Sequence, residues 1–270
     1  MRSLLFVIAL TPLLALLAPA HQSAGLEARA TSKASSGRSP EPAVLATMYH
    51  RFVSPTEFCA LSGDERIYSI STDRFEAQLS ELRLCGIRTL SLAEVLDHAT
   101  GRKPVTDVSE FLTIDDGNRS VLTLAQPLLI KYGMKATLFI TTDASACVFD
   151  PARPDQARLS RDEIRQLDPT VFDVGAHGAT HRPLRDLSDS ELMAELTTSR
   201  GKLERWTGRP VRSMAVPGNW YDDRVLQFAR DAGYEAVFTS DRGLIVGGSD
   251  MYRLPRFTIQ GYKKLDGFRR

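Results

Sequence analysis

Phe111-Leu-Thr-Ile-Asp-Asp-Gly117, a helical stretch over residues 121–132 closed near Gly133, and Ala136-Thr-Leu-Phe-Ile140 form the passage on which the fold turns. Two short apolar runs flank one amphipathic helix, which is the pattern of a strand–helix–strand unit with buried parallel strands. The alternation extends both ways. Upstream, residues 44–49 and 87–90 read as strands and 72–85 as a helix, with Phe75, Leu79 and Leu82 on one face and Gly86 at its end. Ser91 is placed to cap a helix over 92–98. Downstream, helices are expected at 160–167, 189–206 and 222–232, and strands at 171–174, 211–216, 235–239 and 253–259. A longer loop over 141–158 carries Pro151 and Pro154. Seven or eight such units in one α/β domain predict a distorted, closed (β/α) barrel, whose chemistry gathers at the C-terminal ends of the strands.

The 270 residues carry 34 basic and 33 acidic side chains, a formal charge of +1. So balanced a chain has no field to gather nucleic acid or anionic lipid, and a neutral substrate suits it. Residues 1–20 read as an export signal: Arg2, an apolar run from Leu4 to Leu17, then Ala18-Pro19-Ala20. The run is short for a bilayer span, although a retained anchor stays open. Residues 21–42, rich in Ser, Ala, Arg and Pro, read as a flexible linker, and 43–270 as the domain. The protein is expected to be exported, periplasmic or extracellular, and a monomer. Cys59, Cys85 and Cys147 allow one disulfide without choosing it, and no C-x-x-C pair suggests a cysteine zinc site.

Chemistry does fall after the expected strands. Asp115 and Asp116 follow the run 111–114, and adjacent side chains at a strand end diverge, so one carboxylate can bind a metal while the other addresses substrate. The second cluster, Phe172-Asp-Val-Gly-Ala-His-Gly-Ala-Thr-His-Arg-Pro183, holds two of the chain's five histidines. The spacing of His177 and His181 lets a tight turn aim both rings at one point. Two imidazoles and a carboxylate make three protein ligands with an open position, the donor set of a hydrolytic zinc site.

Thr-Ile-Asp-Asp-Gly and His-x-x-x-His, in this strand–helix order, resemble the polysaccharide deacetylase (NodB-homology, carbohydrate esterase family 4) domain, over about residues 44–259. Met48-Tyr49-His50-Arg51, followed by a polar loop, then Phe75-Glu-Ala-Gln-Leu79 and Gly86-Ile-Arg-Thr-Leu-Ser-Leu92 resemble the branch containing the poly-N-acetylglucosamine deacetylases. In that branch the barrel is circularly permuted and the first strand supplies a histidine that other members carry near the C-terminus. Arg253-Leu-Pro-Arg-Phe257 here has no histidine, which agrees. The resemblance implies a divalent metal, with Zn2+ the expected ion, on Asp116, His177 and His181. It implies Asp115 as general base and His50 as the acid that protonates the departing sugar nitrogen. Pro217, Gly218, Trp220 and Arg256 are expected to contact substrate, and a backbone N–H near residues 218–220 to receive the oxyanion. The substrate implied is an N-acetylated polysaccharide. With no further domain after residue 260, envelope polysaccharide export proteins are expected to be separate chains.

The chain departs from the family's pattern in two motifs. Gly178 stands where most members have Ser or Thr after the first histidine. The third motif reads Met214-Ala-Val-Pro-Gly-Asn-Trp220 and lacks the arginine that would orient the base, a charge Arg256 is a candidate to supply. Asp241 sits where an acidic fourth motif is expected, or is a plain loop aspartate. Two other readings stay open: an esterase for O-acetyl groups on the same metal site, and a catalytically silent carbohydrate-binding domain.

Overall fold

Parallel strands need long crossovers, and the amphipathic stretches between the apolar runs provide them. The computed structural model describes residues 42–143 and 157–261. The expected export segment, nearly all of the linker, Cys147 and most of the 141–158 loop lie outside the described residues. In chain order the elements are β1 (Val44–Tyr49), β2 (Arg51–Val53), α1 (Pro55–Ala60), α2 (Gly63–Ile67), β3 (Ser69–Ser71), α3 (Thr72–Leu84), β4 (Arg88–Thr89), α4 (Leu92–Ala99), β5 (Ser109–Ile114), α5 (Gln126–Tyr132), β6 (Ala136–Ile140), α6 (Arg161–Arg165), β7 (Phe172–Ala176), α7 (Asp189–Thr207), β8 (Ser213–Ala215), α8 (Asp223–Asp231), β9 (Ala236–Phe238) and β10 (Phe257–Thr258). Among the described residues, no helix is long and apolar enough to cross a membrane.

The sheet is a curled parallel half-barrel in the order β10-β1-β5-β6-β7-β8-β9, with β4 on the first half of one edge of β5 and β6 on the second. The expected closure is not made by a continuous ladder. Between β9 and β10 the pairing shrinks to one bridge, Phe238 with Leu254, flanked by Thr239 and Leu254 backbone bonds of 2.8 and 3.0 Å. Pro255 follows at once and has no N–H with which to continue a ladder. The expected strand over 253–259 is therefore only Phe257–Thr258, paired to β1 at Thr47 and Met48.

Side-chain alternation sorts the two faces. Val44, Ala46, Phe111, Phe139, Ala215 and Phe238 form the inner cluster, joined by Leu92, Val95 and Leu96 of α4. Leu112, Ile114, Leu138 and Val174 face outward onto Phe75, Leu79, Leu129, Leu192 and Leu196 of the helices. Four helices start on capping boxes, at Ser54, Ser91, Ser160 and Ser188. The helix expected over 121–132 divides into a π turn, Val121–Ala125, and α5. Pro127 explains the break: it has no N–H for the helical ladder, and a wider turn absorbs the missing bond. The small parallel pair β2–β3 lies in a stretch expected to be a polar loop. Its strands are three residues each, too short to show a period.

Candidate metal centre

β5 ends at Ile114, and the next two residues are held very differently. The Gly117 N–H bonds the Asp115 carbonyl at 2.9 Å, and Asp116 between them has φ 72°. A non-glycine residue there carries roughly 1–3 kcal/mol of strain, of the kind that collects at functional sites. The turn sends the two carboxylates different ways. Asp115 receives both arms of the Arg256 guanidinium, at 2.7 and 2.8 Å. Asp116 Oδ1 stands 3.5 Å from His177 Nε2 and 3.4 Å from His181 Nε2.

The histidines come from the end of β7. His177 is buried, and its Nδ1 lies 2.9 Å from the Ala215 carbonyl. A carbonyl only accepts, so Nδ1 carries the proton and Nε2 presents its lone pair toward Asp116. Burial, the main cause, and the neighbouring His181 and Arg256 push the His177 pKa down to about 4 against the pull of the two aspartates. The ring is thus neutral at pH 7, the form that binds metal. His181, half-buried, reaches the same point from a backbone with φ 60°.

Burial alone would raise both aspartates. For Asp115 the Arg256 guanidinium outweighs it, and for Asp116 the side-chain contact with His181 does, so both stay ionised. Candidate ligand atoms of Asp116, His177 and His181 lie within 4.8 Å of one another. Asp116 Oδ1 is buried with no hydrogen-bond partner, since its contacts with the two rings are long and poorly aligned. An orphaned anionic oxygen facing two ring nitrogens fits a divalent cation.

A cleft of about 510 Å³ lies over this group, and Asp115, Asp116, His177 and His181 line it together with His50, Tyr68 and Trp220. His50 follows β1; its ring packs edge-on to Tyr68 at 4.8 Å between centroids, and its Nδ1 is buried without a partner. Gly218 and Trp220 line the cleft, whereas Pro217 is buried. The N–H groups of Asn219 and Trp220 are engaged by the Val216 and Pro217 carbonyls. Gly218 keeps a donor with no acceptor among the described residues. Gly218 has φ +57°, and a Cβ there would sit 2.6 Å from the Trp220 ring. Both features favour glycine at 218.

Two of the expected substrate contacts are corrected: Pro217 is buried and, like Arg256, is not among the residues lining the cleft. Arg256, expected among the substrate contacts, is fully buried and does not line the cleft. Its Nε donates to the Thr239 carbonyl and its remaining donors to Thr113 and Asp115, so it orients Asp115 from within the half-barrel. Asp241, for which a motif acid and a plain loop aspartate both stood open, accepts from Asn219 Nδ2 at 3.0 Å and from the Tyr221 hydroxyl, clasping the turn Pro217–Asn219. Tyr68 and Asp64 also line the cleft but carried no sequence signal, since both lie in the stretch expected to be a polar loop. The fourth described histidine, His98, is a core residue with both nitrogens satisfied by Val105 N–H and the Ile245 carbonyl. Cys59 and Cys85 are exposed and free.

A family model described as polysaccharide deacetylase matches residues 102–237, half of the chain. The chain belongs to the polysaccharide deacetylase family. The chain is similar to the putative polysaccharide deacetylase YxkH of Bacillus subtilis, at 24% identity over 68% of this chain and 63% of that protein. It thus spans less than two thirds of that relative. A poly-beta-1,6-N-acetyl-D-glucosamine N-deacetylase of Staphylococcus aureus is 24% identical over 84% of each chain. Among solved structures, the Streptococcus pyogenes deacetylase PplD superposes with a TM-score of 0.71 at 23% identity, over 84% of this chain and 97% of its own. IcaB from Ammonifex degensii gives 0.67 at 21%, over 81% and 92%. At these identities the structures establish a shared fold. Arg256, the candidate to supply the charge that the third motif lacks, is the residue that pairs with Asp115.

Proposed function

We propose that this protein is a divalent-metal-dependent hydrolase that removes N-acetyl groups from an N-acetylglucosamine-containing polysaccharide. One observation carries the reading: Asp116, His177 and His181 converge on a single point in a cleft, with the charged Asp115 beside them. An ion held there, Zn2+ by the nitrogen-rich donor set, would supply Lewis acidity toward an acetyl oxygen and a water activated at neutral pH.

The chain's own residues do the rest. Asp115, ionised and fixed by Arg256, takes the proton from the attacking water. The Gly218 N–H is placed to receive charge on the former carbonyl oxygen. His50 gives a proton to the departing sugar nitrogen, which is too poor a leaving group as an anion. Trp220 and Tyr68, 41% and 40% exposed at the cleft, offer flat apolar faces of the kind sugar rings stack on. On this reading the first strand supplies the acid and the element order is circularly permuted. The apolar run from Leu4 to Leu17 supports export to the periplasm or beyond, cleaved or as an anchor, with any polymer-export proteins as separate partners. The silent-domain reading leaned on the absent arginine, and the Arg256–Asp115 pair removes that support.

The test is metal analysis of the purified protein together with acetate release from poly-β-1,6-N-acetylglucosamine, chitin oligomers, peptidoglycan and an O-acetylated xylan. Acetate should come from an N-acetylated polymer, stop with chelator and return with Zn2+. Asp115→Asn should keep the metal and lose turnover. Release from the O-acetylated polymer alone, or polymer binding without metal-dependent turnover, would refute the proposal.

A further inference from the structure

Glu195 lies in the second turn of α7 and is 6% exposed, yet neither the fold nor the chemistry above uses its carboxylate. Burying a carboxylate is costly unless its oxygens are bonded. Here all its partners belong to one residue: the Thr180 N–H at 2.6 Å and the Thr180 hydroxyl at 3.1 and 3.0 Å. Thr180 immediately precedes His181, which holds φ 60°. On the other side of the same turn, a Cβ at Gly178 would come within 2.9 Å of Glu195 Oε1. The carboxylate therefore fills the concavity of the His177–His181 turn, and glycine at 178 leaves room for it.

We propose that Glu195 is a positioning residue for the metal centre: through Thr180 it fixes the strained turn that aims His181 at Asp116. The inference rests on the metal-centre reading above. A residue that merely stabilises α7 would change the melting temperature and leave ion binding alone. A residue that sets ligand geometry changes the affinity of the folded protein.

The test uses the whole chain, freed of metal, with Zn2+ affinity measured by competition against a chromophoric chelator and melting of the metal-free protein followed in parallel. Glu195→Ala should weaken Zn2+ binding by about 10–100-fold, the usual cost of removing a group that orients a ligand. Glu195→Gln keeps an acceptor for the Thr180 N–H and a donor for its hydroxyl, and should restore affinity to within a few-fold of the original. Thr180→Val removes only the hydroxyl and should give an intermediate loss. Glu195→Ala binding as tightly as the original protein overturns the proposal, whatever its melting temperature. Should that variant not fold, Thr180→Val decides, and unchanged affinity there overturns the proposal equally. Failure of the unaltered protein to bind Zn2+ would instead sink the metal centre itself, a distinguishable result.

Discussion

Asp115 and Asp116 are chain neighbours with different work because their partners differ. Asp115 is neutralised by a planar fork; Asp116 has an oxygen left over for a cation. Removing the fork exposes the difference. In Arg256→Met, burial is no longer opposed by the guanidinium, so the Asp115 carboxyl climbs. The acid limb of the kcat/KM profile for acetate release should move to higher pH. Arg256→Lys, which keeps charge but not the bidentate geometry, should move it less. A limb that stays put in Arg256→Met would show that Asp115 is not the base. His50 is tested by leaving group. His50→Ala should lower amide turnover by roughly 10²–10⁴-fold, the usual span for an acid catalyst, while sparing activated acetyl esters, whose leaving groups need no proton. Equal losses on both substrates would make His50 a positioning group.

At the scale of elements, the turn Pro217–Asn219 is held from outside itself. Asn219, with φ 60°, bonds Asp241 through Nδ2 and the Ser240 N–H through Oδ1, and Tyr221 ties the same carboxylate. Asp241→Asn leaves one acceptor for two donors and should loosen the Gly218 N–H. Acetate release should fall by about tenfold, less than the 10²–10³ expected for losing an oxyanion donor outright, with Zn2+ affinity unchanged. A parallel loss of affinity would mean that Asp241 supports the metal ligands instead. The same loop shows where sequence reading stops. β5, β6 and β7 are mostly buried runs closed by turn residues, and Asp115, Asp116, His177 and His181 come after two of them, so strands and ligands were legible together. The Arg256–Asp115 pair was legible only as a charge missing from the third motif, because it joins residues 141 apart in sequence that the strand order β10-β1-β5 brings together. Glu195 was hidden for another reason. On a helix with charges around it, nothing local separates a solvated glutamate from one that fills a turn on another element. The π turn before α5 had a visible cause in Pro127, and the period of its apolar residues masked it.

The whole molecule balances two buried groups that titrate against each other. His177 stays neutral in the fold down to about pH 4 but is protonated in the unfolded chain below about 6.5. In that window the unfolded state binds more protons, so acidification destabilises the metal-free protein, by up to about 3 kcal/mol over the full shift. Glu110, buried on the outer face of β5 and bonded by the Thr47 hydroxyl, has its pKa raised by burial to about 7. It stays protonated in the fold where the unfolded chain has already ionised above about 4.5, so the folded state binds more protons and stability falls as pH rises toward 7. The slopes are opposite and similar in size, and between about pH 4.5 and 6.5 they should nearly cancel. Urea unfolding in chelator separates them. His177→Gln should unmask a loss of stability with rising pH across that window. Glu110→Gln, which keeps an acceptor for Thr47, should unmask a gain, and above pH 7 it should be more stable than the unaltered protein by about 2–3 kcal/mol. Neither slope appearing in either variant would mean that His177 and Glu110 titrate in the fold much as they do in the open chain. The neutral imidazole that the metal centre needs would then have no basis in burial.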